Sequence, residues 1–256
     1  MRGYREQVIS ETFDAEAAAA RVAGEMLPLA DATRAAREKR YLKSDLDLLG
    51  VGVPGIRRVV TGAARSHPGL GRISALAWAR ALWREPVHER RTAAIEVLRR
   101  YVQTLEPADL AQVEAWVREA HGWAYVDTLA CDIAGAIALR HASAWPLIDA
   151  WAVDGDFWVR RSALLTLLPA IRRGQPDHAR FERYATPMLA EKQFFIRKAI
   201  GWVLRETSKK DPACVAAWTL RHLDQMSGVT FREAVRRLPE ADATRLRRLY
   251  TSRTER

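Results

Sequence analysis

Apolar residues recur at three- and four-residue spacing through nearly the whole chain, and no stretch alternates with the period of two that a half-buried strand requires. The pattern predicts an all-α protein. Candidate helices run through 13–27, 30–42, 54–67, 71–83, 87–101, 107–120, 123–140, 143–153, 157–171, 177–190, 192–208, 212–225, 229–238 and 241–250. Pro54, Pro86, Pro107 and Pro212 stand where a first helical turn tolerates proline, while Gly71, Gly122, Gly155, Gly174 and Gly228 mark joints. The exception is Asp45 to Gly55, where DLDLLGVGVPG reads as a loop.

Many helices of similar length, joined by short turns with no linker at mid-chain, suggest stacked pairs of the HEAT type. Such a solenoid, taken as one domain over 1–256, carries an extended concave inner face; a compact bundle is the competing architecture. Charge sharpens the picture. The 256 residues hold 41 Lys and Arg against 31 Asp and Glu, a net +10, which favours a polyanionic partner through release of condensed counterions. Basic pairs recur at Arg57-Arg58, Arg90-Arg91, Arg99-Arg100, Arg160-Arg161, Arg172-Arg173, Lys209-Lys210, Arg236-Arg237 and Arg247-Arg248, and a solenoid would align several along its groove. Taken singly, each pair reads as a solvated helix face before it reads as a DNA contact. Cys131 and Cys214 are too few for a disulfide framework and too far apart for a metal knuckle, so both are expected to be reduced, packed thiols. The opening residues lack an apolar leader and no uncharged run approaches a membrane span; a cytoplasmic protein with no membrane partner is expected.

Familiar catalytic patterns are missing. The six histidines are dispersed without a zinc-hydrolase spacing, and GxxxxGK[ST], GxGxxG and GxSxG do not occur, so neither a catalytic metal nor a nucleotide cofactor is expected. What remains is a set of aromatic, acidic and basic residues. Trp123 and Asp127, in HGWAYVDTLACD, are four apart and share one helix face. In DFWVRRSALLTLL, Asp156 caps a helix whose first turns carry Trp158, Arg160 and Arg161; neighbouring arginines point about 100° apart, so one can face a groove while the other meets solvent. In EKQFFIRKAIGWVLRETSKKDP, Phe195, Ala199, Trp202 and Val203 form a stripe that reads as core packing, with Trp202 the groove candidate.

Together with YLKSDLDLLGVGVPGIRRV, these segments resemble, in the same order from Tyr41 to Pro212, the AlkD-type DNA alkylation repair glycosylases. The resemblance implies a HEAT-like solenoid acting as a monomer on duplex DNA. It also implies hydrolysis of the N-glycosidic bond of cationic N3- or N7-alkylated purines without flipping the base. By position, Asp127 is similar to the family's catalytic carboxylate, Trp123 to the tryptophan lining the lesion's deoxyribose, and Arg161, rather than Arg160, to the arginine of the cleft. Trp202 resembles the second cleft wall and Tyr41 a tyrosine on its N-terminal side. Arg160, Arg197, Lys198, Lys209 and Lys210 are the expected DNA-backbone contacts.

The chemistry asks little of such a site. An alkylated purine departs neutral and needs no acid, so one carboxylate suffices to stabilise the sugar cation and hold a water. Arg161 is expected to clamp a phosphate and to keep Asp127 charged. Where the family often has two tryptophans and an acid, this chain has His121, Gly122, Trp123, Ala124 and Tyr125, which thins one wall. A roomier cleft suits bulky N3-alkyladenine adducts, and the Arg- and Ala-rich composition suits a high-GC bacterium, a group that includes producers of DNA-alkylating antibiotics. Self-resistance is therefore an expected role beside ordinary repair. The competing reading is a non-catalytic DNA-structure-binding HEAT-repeat protein, which would lack the carboxylate or add a β-hairpin.

Overall fold

A computed structural model describes residues 13–120 and 122–253. His121 and most of the opening segment searched for a leader lie outside the described residues. Two compact units divide at Thr104 and Leu105. The first contains α1 (Ala15–Met26), α2 (Ala32–Leu42), α3 (Val53–Ala64), α4 (Arg72–Trp83) and α5 (His88–Arg100). The second contains α6 (Leu110–Glu119), α7 (Trp123–Thr128), α8 (Gly135–Arg140), α9 (Trp145–Trp151), α10 (Phe157–Leu165), α11 (Leu168–Arg172), α12 (His178–Met188), α13 (Phe194–Thr207), α14 (Pro212–Arg221), α15 (Gly228–Ala234) and α16 (Glu240–Ser252). The protein is all-α, as the periodicity predicts; among the described residues the strand-like feature is one parallel bridge, Asp47 to Val87. Helix starts follow side-chain chemistry: Asp14, Asp31, Asp156, Asp177, Asp211 and Ser227 each accept a backbone N–H of the first turn. No helix of the described residues is long and apolar enough to cross a membrane.

In the first unit α1 packs on α3 and α4, and α5 closes over the same pair, burying Met26, Ile56, Trp78, Leu82 and Leu98. The loop expected at 45–55 is present up to the start of α3, and a buried acid holds it. The Glu89 side chain accepts the N–H groups of Leu49, Gly50 and Val51 at 2.9, 2.7 and 3.1 Å. Gly50 adopts φ +79°, and a Cβ there would lie 2.0 Å from the Asp31 carbonyl oxygen, so the turn excludes any other residue.

In the second unit α10 is central, packing against α6, α7, α9, α12 and α13. Two spans read as single helices are interrupted. The 123–140 span is α7, a π-helical turn at Leu129–Ala134 and then α8. The 157–171 span breaks into α10 and α11 around Thr166 and Leu167. There the Ser162 and Thr166 hydroxyls donate to carbonyls four residues back, and Pro169 opens the next helix. Gly201 lets α13 approach α15 closely, since a Cβ would fall 2.6 Å from that of Glu233.

Candidate active site

Three helices of the second unit supply the parts. α10 begins where the Asp156 side chain accepts the Trp158 N–H at 2.7 Å, as the sequence predicts, and this sets the phase that turns Arg161 inward. The Arg161 side chain is 3 % exposed. Its Nε and Nη2 donate to the two Asp127 oxygens at 2.8 and 2.9 Å, a bidentate pair, while Nη1 donates to the Phe195 carbonyl. The guanidinium carbon also lies 5.8 Å from the centre of the Phe195 ring, which is itself tilted against Trp158. One guanidinium thus joins α7, α10 and α13, and its planar fork fixes the orientation of the Asp127 carboxylate.

The Asp127 side chain stays 20 % exposed although both its oxygens accept from Arg161. Trp123, four residues earlier on α7, is half-buried on the same face. The π turn begins two residues after Asp127, and the wider winding belongs to a class of helix irregularity frequent at functional sites. Within that turn, burial and the Asp127 charge push the Cys131 thiol up to about 12, so it is a packed, inert group, as expected from sequence. On α13, Trp202 is half-buried and stands seven residues, two turns, beyond Phe195 on the same side.

Asp127 and Arg161 are therefore in direct contact, and Trp123 and Trp202 are carried by the helices that the pair ties together. Tyr41 belongs to the first unit, in the last turn of α2, and is 70 % exposed. The phosphate-clamping role expected of Arg161 does not fit its geometry. A buried guanidinium whose Nε, Nη1 and Nη2 all donate within the protein serves to position the carboxylate.

The expected backbone contacts also have partners of their own. Arg160 diverges from Arg161 and donates to both Glu191 oxygens at 2.9 and 2.7 Å and to the Asp154 and Gly155 carbonyls. Arg197 donates to the Glu191 carbonyl at 2.7 Å, Lys198 pairs with Glu233, and Lys209 pairs with Glu206 at 2.7 Å. Lys210 is exposed. Burial pushes the Glu233 carboxyl up, but Lys198 and the charge of Arg205 outweigh it and hold the group below the usual carboxylate range. Sequence reasoning missed Phe195 and Glu191 as supports of the site. The Phe194-Phe195 pair at the start of α13 was the available signal for the first, and nothing local marks the second.

The site thus offers one firmly held, partly exposed carboxylate, and α7 and α13 each carry a half-buried tryptophan. That combination can stabilise a positive charge and orient a water. No curated protein matches the chain in sequence. A solved structure of a predicted DNA alkylation repair enzyme from Enterococcus faecalis shares the fold, with a TM-score of 0.70 and 22% identity, covering 80% of this chain and 94% of that one. The family model for DNA alkylation repair enzymes matches residues 22–238, and by that match over most of its length the chain belongs to the DNA alkylation repair enzyme family.

Proposed function

We propose that the protein is a DNA glycosylase that hydrolyses the N-glycosidic bond of cationic N3- or N7-alkylated purines in duplex DNA. The observation that carries the reading is the Asp127 carboxylate, held by the Arg161 fork on a side chain that remains 20 % exposed. As the bond between C1′ and the purine nitrogen breaks, its electron pair passes to the ring and cancels the alkyl-induced charge. The base leaves neutral, and no general acid is consumed. Positive charge collects on the sugar, where Asp127 stabilises it by Coulombic attraction and accepts a hydrogen bond from the attacking water. The water oxygen bonds to C1′ and its proton passes to Asp127 or to solvent. Trp123 and Trp202 offer negative ring faces, each worth roughly 0.5–2 kcal/mol toward a nearby cation. Arg161 acts through Asp127 as a positioning residue.

Selection then rests on the lability of the alkylated bond, so a closed base pocket is unnecessary and neutral lesions are poor substrates. Ala124 and Gly122 beside Trp123 leave room for bulky N3-alkyladenines, which extends the reading to antibiotic adducts and self-resistance. Most of the basic residues near α10 and α13 are already in ion pairs, so DNA phosphates must compete with Glu191, Glu206 and Glu233 for them. Release of the counterions condensed on DNA should make binding weaken steeply with salt. The test is mass spectrometry of bases released from duplexes carrying 3-methyladenine, 7-methylguanine or a bulky N3-alkyladenine. Release of the cationic bases, with a neutral lesion left intact, is expected. Tight DNA binding without release of any base would assign the chain to the non-catalytic DNA-binding class instead.

A further inference from the structure

Elsewhere in the second unit, three side chains of metal-binding type converge where α12 and α14 begin. Asp211 caps α14, its Oδ1 accepting the Cys214 N–H at 3.0 Å, which fixes acid and thiol relative to each other. The Cys214 sulfur lies 3.4 Å from Nδ1 of His178, the first residue of α12, and Nε2 of the same ring lies 3.2 Å from Asp211 Oδ2. One donor atom from each residue falls within 4.8 Å of the others, and all three side chains are half-buried. His178 and Cys214 also line a cavity of about 290 Å³ shared with Phe181, Glu182, Leu204 and Trp218. Trp218 is 3 % exposed, and its buried Nε1 has no hydrogen-bond partner. Both cysteines are free thiols, as expected, Cys131 buried and Cys214 half-buried at this cavity.

We infer that His178, Asp211 and Cys214 bind one zinc-class divalent ion, with a remaining coordination position directed to the cavity. The donor set selects the metal. A thiolate beside an imidazole is borderline-soft and favours Zn²⁺ or Co²⁺, whereas Mg²⁺ and Ca²⁺ require oxygen. Spacing agrees for the sulfur and Nδ1, since bonds of about 2.0–2.3 Å in a tetrahedral site put neighbouring donors roughly 3.5 Å apart, close to the 3.4 Å observed; Asp211 stands at the other ring nitrogen, and with the three donors within 4.8 Å of one another its side chain or the imidazole must turn to reach the same ion. On binding, a sulfur–metal bond replaces the S–H bond and the thiol proton goes to solvent. The ion bridges the first turns of α12 and α14, and so braces them. This inference stands apart from the chemistry at Asp127.

Cobalt titration of the reduced, metal-free full chain tests it. One equivalent is expected to bind, with a sulfur-to-cobalt charge-transfer band, to be displaced by zinc, and to raise Tm, while Mg²⁺ does none of these. Cys214→Ser should abolish the band with helical content unchanged, because buried Cys131 cannot supply it. Asp211→Asn, which keeps the cap, and His178→Gln should each weaken affinity by about tenfold or more. Absence of a band in the folded protein, or a band that survives Cys214→Ser, overturns the assignment. So does iodoacetamide labelling of Cys214 that His178→Gln slows but zinc leaves untouched, since that pattern assigns the trio to a thiol–imidazole relay.

Discussion

Glu89 in the first unit and Asp127 in the second are both helical acids with both oxygens engaged, yet they serve different ends. Glu89 is 0 % exposed and spends its lone pairs on three backbone N–H groups of one loop, so the loop is what it stabilises. Asp127 engages a side chain, and with the fork in place it remains 20 % exposed. The number of hydrogen bonds does not separate the two. Residual exposure does, because a carboxylate can act on a substrate only where an incoming atom can reach it.

The widest separation between the two acids should come from Asp127→Asn. It is expected to slow release of alkylated bases on the order of 10³-fold with DNA affinity largely retained, as measured by single-turnover kinetics and filter binding, and to lower Tm as well, because an amide cannot accept both N–H groups of the buried Arg161 fork. Glu89→Gln should lose stability alone. Losing a charged acceptor for buried N–H groups is expected to cost about 1–3 kcal/mol in urea unfolding, with little change in rate per folded molecule. A comparable loss of rate in the two variants would erase the distinction drawn between them. Trp123→Ala sharpens it on the functional side, with base release slowed about tenfold if the ring faces a sugar cation, and with DNA affinity retained.

The smallest effect concerns acid. Burial pushes the Glu96 carboxyl up, but donation from Arg57 and Arg99 at 3.0 and 2.7 Å outweighs it and leaves the group below its ordinary 4.5. Glu233 is held low in the second unit by Lys198 and Arg205. A depressed carboxyl contributes stability that is complete above its unfolded pKa and disappears as pH falls through the folded one. The carboxylates' contribution to the urea midpoint should therefore be complete above about pH 5 and decline below about 4.5, while His88, whose pKa burial lowers, adds a decline of its own as pH falls through 6.5.

Much of this was legible in the chain. Periodicity located the helices within a few residues because burial of one stripe per helix is a local constraint, and the Asp156 cap and the Trp123–Asp127 face followed from rules that operate within one turn. The loop at 45–55 was visible from its glycines, but not that Glu89, some forty residues later, would hold it. Likewise, Arg160 and Arg161 are equivalent in composition and separated only by resemblance and by phase. Their partners, Glu191 for one and Asp127 with Phe195 for the other, are each more than thirty residues away. The π turn after α7 was invisible because its hydrogen-bond register differs little in propensity from an α-helix and is chosen by what packs on either side.

The sequence by itself determined an all-helical chain, its basic surplus and the few residues able to stabilise a sugar cation, since these depend on side-chain type and short-range spacing. Tertiary structure decided which arginine meets Asp127, which basic residues are already neutralised by acids, and that His178, Asp211 and Cys214 converge. Those outcomes depend on distances between helices remote in sequence, and only the packed core sets them.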